Sequence, residues 1–235
     1  MSIPKKIWLY WGQGWENVPH VVKKCADSWV HYNPDWEINF LNEETLKKYI
    51  DIGNIKISTF AALSDIIRIN LLKKYGGIWC DATVWCNKPL NEWITHYTDF
   101  FAFSKPAPDR LIASWFLASS PNNYIITNWH EKVTMYWRER TVPHNYFWFH
   151  YLFNELFQND KQFREKWEST TPIECPINSS DGPHHFAPYT TKQLTGVTDK
   201  FKKMIDNKIS PVFKLGHHWP LEKYDKIKYL FNSIN

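Results

Sequence analysis

What this chain of 235 residues lacks narrows its class before any motif is considered. It has four cysteines, Cys25, Cys80, Cys86 and Cys175, and no CxxC spacing joins them. That argues against a zinc ribbon and offers no disulfide framework, so a reducing compartment is the simpler home. No apolar run approaches the ~20 residues a membrane span needs; the longest greasy stretches are broken by Asp65, Arg68 and Lys73. Met1–Lys6 carries no apolar h-region, so no secretory signal is expected and a soluble, cytoplasmic chain is. There is no internal repeat and no low-complexity tract. Nor is there a basic block: 28 basic and 24 acidic residues leave a net charge of +4, with lysines interleaved among acids. Such mild, unclustered charge, without a recognised binding motif, argues against nucleic acid as a partner.

What is present reads as one globular unit. Apolar residues make up 43% and charged residues 22%, an ordinary balance, and the length suffices to bury a core without staples. The expectation is a single domain over 1–235, divided into a ligand-binding part at 1–90 and a closing part at 91–235. The aromatic load is high, with 14 Trp, 12 Tyr and 15 Phe. Much of it must be core, although Trp and Tyr faces also suit the C–H edges of sugar rings.

Hydrophobic periodicity predicts a strand at Lys6–Trp11, a helix over Val18–Tyr32 and a second strand at Trp36–Leu41. Asn42 reads as an N-cap for a helix running to Tyr49. Thr59–Tyr75 carries a helical stripe of Phe60, Leu63, Ile67, Leu71 and Tyr75, stopped by Gly76-Gly77. Ile78–Cys80 then reads as a short buried strand ending at Asp81. This alternation indicates an α/β fold with a mainly parallel sheet. Further on, strands are expected at Phe100–Phe103, Ser114–Ala118 and Ile209–Leu215, and helices at Asn122–Arg140 and Tyr146–Phe157. Residues 169–198 read as loops with one short helix.

Two places carry chemistry. Asp65 and Arg68, three apart on a helix, share a face; they form either a local ion pair or a fixed grip for hydroxyls and phosphate. Asp81, at the carboxyl end of a buried strand, either caps the following turn or faces a ligand, since open α/β sheets bind ligands at those ends.

The segments Ser64-Asp-Ile-Ile-Arg68 and Tyr75-Gly-Gly-Ile-Trp-Cys-Asp-Ala-Thr-Val-Trp-Cys-Asn-Lys-Pro-Leu90 resemble the sugar-binding core of the capsular-polysaccharide-synthesis glycosyltransferases, relatives of the "DXD" glycosyltransferases. The opening Ile3–Trp11 is similar to that family's first strand. Weaker echoes are Ser114–Phe116, Asn145–His150, Gly182-Pro183 and Lys214–His217.

The resemblance implies a GT-A type, Rossmann-like mixed sheet flanked by helices. The substrates would be a nucleotide diphosphate sugar, such as a UDP-sugar, and a hydroxyl of a glycan or lipid-linked acceptor. A lipid-linked acceptor would bring the chain to the inner face of a membrane. Asp65, Arg68, Asp81 and Thr83 would hold the donor sugar; Tyr10, Trp11, Gly12 and Asp81 the nucleotide; Arg68, Asp81 and His218 would be catalytic. Apart from the resemblance, the polar, loop-like Asp181–His185 reads as a candidate lid carrying His184 and His185, and Trp115 as either core or acceptor side.

One departure stands out: Thr83 replaces the motif's second aspartate, and a neutral hydroxyl is a poorer ligand for a hard cation than a carboxylate. A metal would then rely on Asp81 with His217 or His218, and imidazole favours Mn²⁺ over Mg²⁺. The expected chemistry is attack of an acceptor hydroxyl on the anomeric carbon with retention of configuration, the diphosphate leaving. The alternative is a catalytically silent binder of nucleotide-sugars or glycans.

Overall fold

The computed structural model describes residues 2–53, 57, 59–177, 196–216 and 223–234. Its centre is a five-stranded sheet. The chain enters through β1 (Lys6–Tyr10), crosses helix α1 (His20–Tyr32) and returns as β2 (Glu37–Leu41), parallel to β1. One turn of helix, α2 (Glu43–Leu46), precedes the long α3 (Phe60–Tyr75), which leads into β3 (Gly77–Cys80) on the other side of β1. A short β4 (Val84–Cys86) follows, then the hairpin β5 (Phe100–Ala107) and β6 (Arg110–Ser119). The sheet order is β2-β1-β3-β6-β5, with β6 antiparallel to both neighbours. Helices α4 (Tyr124–Trp137), α5 (Trp148–Asn159) and α6 (Lys161–Glu168) come next. The remaining described elements are α7 (Asp199–Asp206), β7 (Val212–Lys214) and α8 (Asp225–Asn232). β7 pairs antiparallel with β4 in a separate ribbon. The mixed sheet, parallel through β2, β1 and β3, matches the expected α/β class.

Alternation along the strands sorts side chains to two faces. Trp8, Trp79, Leu117, Phe100 and Ala102 pack under α3–α6, while Ile7, Leu9, Ile78, Cys80, Phe101 and Phe116 pack with Trp29 of α1 and with Trp93. β1 is buried on both faces, as a central parallel strand must be. A third cluster joins α1, α7 and α8 to the β4–β7 ribbon through Val22, Phe201, Phe213 and Phe231.

The local signals at α3 work as expected. The Thr59 side chain accepts from Ala62 N at 3.2 Å as N-cap. At the other end Gly76 and Gly77 take φ of +65° and +90°, and Trp8 Nε1 donates to the Gly76 carbonyl at 2.8 Å. The expected narrow stripe is not the whole story. α3 lies between the sheet and α4, so Ile66, Ile69 and Leu72 are buried too, while Phe60 stays 70% exposed.

Elsewhere boundaries move. Pro19 is the N-cap of α1 rather than a first-turn residue. α2 stops at Leu46, where Tyr49 instead stands edge-on to the Trp8 ring at 5.2 Å. The hairpin β5–β6 is longer than expected and bulged near Ser104.

The Gly76-Gly77 corner allows no side chain. A β-carbon on Gly77 would sit 2.6 Å from the Lys6 carbonyl oxygen, in a backbone region that L-residues rarely adopt. Gly77→Ala is expected to lower unfolding stability by roughly 2–4 kcal/mol, read as a fall in urea midpoint at unchanged slope.

Candidate active site

β1 runs to β2 on one side and, through α3, to β3 on the other. The chain therefore switches direction between β1 and β3, and open sheets form ligand crevices at the carboxyl ends of such strands. Tyr10, Trp11 and Gly12 emerge from one strand there and Asp81 from the other. Asp81 N donates to the Trp115 carbonyl at 2.9 Å, which prolongs the β3–β6 ladder by one residue and fixes where the carboxylate points.

Arg68 reaches this point from α3. Its Nη1 donates to the Ser114 carbonyl at 2.6 Å, and its Nε and Nη2 to the Ser64 carbonyl and hydroxyl at 3.2 and 2.9 Å. The same guanidinium pairs with Asp65 at 3.3 Å and with Asp81 at 3.2 Å, and lies over the Trp79 ring at 5.1 Å. The pair expected on one helix face is therefore buried and forms a bridge from α3 to the end of β3. Asp81 also accepts from Trp79 Nε1 at 3.0 Å and meets Lys214 Nζ at 3.1 Å. Lys214 donates onward to Thr83 Oγ1 at 2.6 Å.

The two carboxyls are tuned in opposite directions. Desolvation, with Asp81 adding to it against Arg68, raises Asp65 from 3.8 to about 7. Burial also works against ionisation of Asp81, but Lys214 and Arg68, helped by the Trp79 hydrogen bond, outweigh it and hold that carboxyl below its ordinary range.

The crevice has two lobes that share Ala61, Ser64, Asp81, Tyr146 and Lys214. One, of about 400 Å³, is walled by Tyr10, Trp11, Gly12, Trp79 and Thr83. The other, of about 300 Å³, is walled by Asp65, Arg68, Arg110, Trp115, Phe147 and His150. Each lobe holds a buried polar atom with no hydrogen-bond partner among the described residues, Tyr10 Oη in the first and His150 Nδ1 in the second. Desolvation, with Glu43 adding, pushes the Tyr10 phenol up to about 12. Desolvation, then Arg68 and Arg110, pushes His150 down to about 3, so its ring is neutral. The Arg110 guanidinium stacks 3.6 Å over Phe147.

Of the residues singled out from sequence, Tyr10, Trp11, Gly12, Asp65, Arg68, Asp81, Thr83 and Trp115 come together in this crevice. His184, His185, His217 and His218 lie outside the described residues. Trp115 is stacked on Phe103 at 4.8 Å and forms part of the second wall. Sequence reasoning missed Arg110, which sits in no local pattern that distinguishes it, and met His150 as the end of the Asn145–His150 echo. At the expected metal position, Asp81 and Thr83 are already bound to the Lys214 ammonium and Asp81 also to a guanidinium. The other expected metal ligands, His217 and His218, lie outside the described residues.

The fold and crevice define an α/β protein with a charged, two-lobed ligand site at a topological switch point. A family model described as "capsular polysaccharide synthesis protein" matches residues 1–234, and the chain belongs to that family. It is similar to the O-glycosyltransferase braB of Annulohypoxylon truncatum, 30% identical over 94 residues, covering 33% of this chain and 22% of the relative. The O-glycosyltransferase PaGT of Phomopsis amygdali is 21% identical over 164 residues, covering 58% and 40%. The chain thus spans less than half the length of these relatives. Among solved structures, the PaToxG glycosyltransferase aligns with a TM-score of 0.48 and 18% identity, covering 99% of this chain and 86% of that one.

Removing Arg68 strands two carboxyls. Arg68→Leu is expected to cost about 3–5 kcal/mol at pH 8 and less at pH 5, where Asp65 can take a proton. Asp65 also imposes a pH dependence on the native protein. Between 3.8 and about 7 the native state keeps a proton that the unfolded chain has lost, so stability falls as pH rises through that window. The Tm difference between Asp65→Asn and wild type should move in the variant's favour from pH 4 to pH 7; a flat difference would remove Asp65 as the source.

Proposed function

We propose that this chain is a glycosyltransferase that takes a sugar from a nucleotide diphosphate donor and places it on a hydroxyl of a glycan or lipid-linked acceptor, in synthesis of capsule or another surface polysaccharide. The observation that carries the reading is the pair of lobes meeting at Asp81 and Lys214, with a buried guanidinium behind them. The aromatic lobe of Tyr10 and Trp11 suits a base and ribose. The charged lobe of Asp65, Arg68 and His150 suits a sugar, because carboxylate, guanidinium and neutral imidazole all bond hydroxyls. The diphosphate would then lie at the junction.

The chemistry follows from that placement. An acceptor oxygen bonds to the anomeric carbon as the bond from that carbon to the diphosphate oxygen breaks. The bonding electron pair leaves with the diphosphate, and its departing oxygen takes up the acceptor's proton on the same face of the sugar, the route that retains configuration. The transition state carries oxocarbenium character, so fixed donors aimed at the departing oxygen stabilise it most. Family resemblance supports retention of configuration at the anomeric carbon. Phe60 and Tyr146, 70% and 73% exposed, stand at the rim of the crevice and give an acceptor sugar or lipid a flat apolar surface. Among the described residues no helix is long and apolar enough to cross a membrane; a lipid-linked acceptor would be met at a membrane surface.

Thermal unfolding with UDP, GDP and CMP, and with the matching nucleotide-sugars, tests the donor reading. A nucleotide at about 100 times its Kd adds ~2.7 kcal/mol, which raises Tm by several degrees. The shift should vanish in Trp11→Ala and be retained in Met135→Ala, an exposed position on α4 that lines neither lobe. No shift with any nucleotide would overturn the assignment. A shift without transfer to any acceptor or to water would favour the silent-binder reading.

A further inference from the structure

The exchange of aspartate for threonine at position 83 and the place taken by Lys214 are two observations that explain each other. Lys214 Nζ sits between Asp81 Oδ2, at 3.1 Å, and Thr83 Oγ1, at 2.6 Å. It therefore bridges the two side chains between which a cation of the DXD pattern would be held. It is there by backbone design: Lys214 is the last residue of β7, paired with Val84 of β4, and Leu215 N donates to the Thr83 carbonyl at 2.8 Å. The second oxygen of Asp81 is occupied by Arg68 and Trp79. A divalent cation entering here would have to displace an ammonium and settle beside a guanidinium.

Charge counting points the same way. At the junction itself stand Arg68 and Lys214 against Asp81, with the pKa of Asp65 raised to about 7 and Arg110 paired with Asp109 at 3.5 Å. A carboxylate at position 83 would cancel the surplus and call for a metal before a diphosphate could bind. Threonine leaves the surplus positive. An ammonium offers three donors; Asp81 and Thr83 take two, leaving one for a phosphate oxygen at the junction where Lys214 faces both lobes.

Resting on the donor reading above, we propose that Lys214 is a catalytic residue that stands in for the divalent cation: its ammonium binds the diphosphate and stabilises the negative charge on the departing oxygen, so that donor binding and transfer need no metal. This replaces the expectation of Mn²⁺ held by Asp81 with His217 or His218.

Calorimetric titration of the full chain with UDP and with UMP, each in EDTA and in Mn²⁺, tests this without any variant. UDP affinity in wild type should agree within about threefold between the two conditions, a difference under 1 kcal/mol. Lys214→Met should weaken UDP by roughly 10–100-fold, as expected when a charged partner is lost, and UMP by much less. It should lower turnover by about 10²–10³, while Lys214→Arg restores a good part of both. Combining Thr83→Asp with Lys214→Ala should create a response to Mn²⁺ that wild type lacks, visible also as loss of the free-ion signal in electron paramagnetic resonance. If EDTA abolishes UDP binding to wild type and Mn²⁺ restores it, the lysine proposal falls and the donor reading stands. If UDP and GDP bind in neither condition, both fall.

Discussion

The site depends on one buried guanidinium. Arg68 ties α3 to β6 through the Ser114 carbonyl and to the end of β3 through Asp81. Two carboxyls sit beside it only because its charge is there. Burial of such a group is costly unless its donors are matched, and here they are spent on two carbonyls, a hydroxyl and two carboxyls. The arrangement rigidifies the floor of the crevice. It also explains why Asp65 and Asp81, neighbours of the same cation, titrate in opposite directions. Asp65 has one strong cationic partner and little solvent. Asp81 has two cations and an indole N–H.

Around that floor the sheet supplies position rather than chemistry. β1 and β3 end side by side, and the change of direction between them opens the crevice. β6, running the other way, presents its middle instead of its end, so Ser114 and Trp115 can serve as wall and acceptor at once. Family membership and the glycosyltransferase names of its relatives agree with such a site. The two lobes differ in character, one walled largely by aromatic side chains and the other by charged ones.

Legibility in the sequence followed distance along the chain. α3 and β3 could be read because Thr59 and Gly76-Gly77 mark their ends locally, and Asp65, Arg68 and Asp81 stand out because helix spacing and a strand end put them near each other. α6 was missed because only Phe163 and Trp167 are buried in it, too few to show a period. α7 and α8 are eight residues each and rich in charge. β7 is only three residues long, and its value lies wholly in what it pairs with. Nothing local to Lys214 announces a partner 131 residues earlier, and Arg110 likewise gains its meaning from Phe147, on another element.

The β4–β7 ribbon has a consequence in time. Because the cation at the head of the crevice arrives on the last described strand, the sheet strands, Arg68 and Asp81 leave the ribosome before residue 214 does. Until then β4 has an unpaired edge and Asp81 lacks one of its two cations. Long-range pairing of this kind is slow to form, so the contact between Lys214 and Asp81 is expected to form after the local elements around Asp81. On the proposed role of Lys214, the site is complete only once β7 has paired with β4.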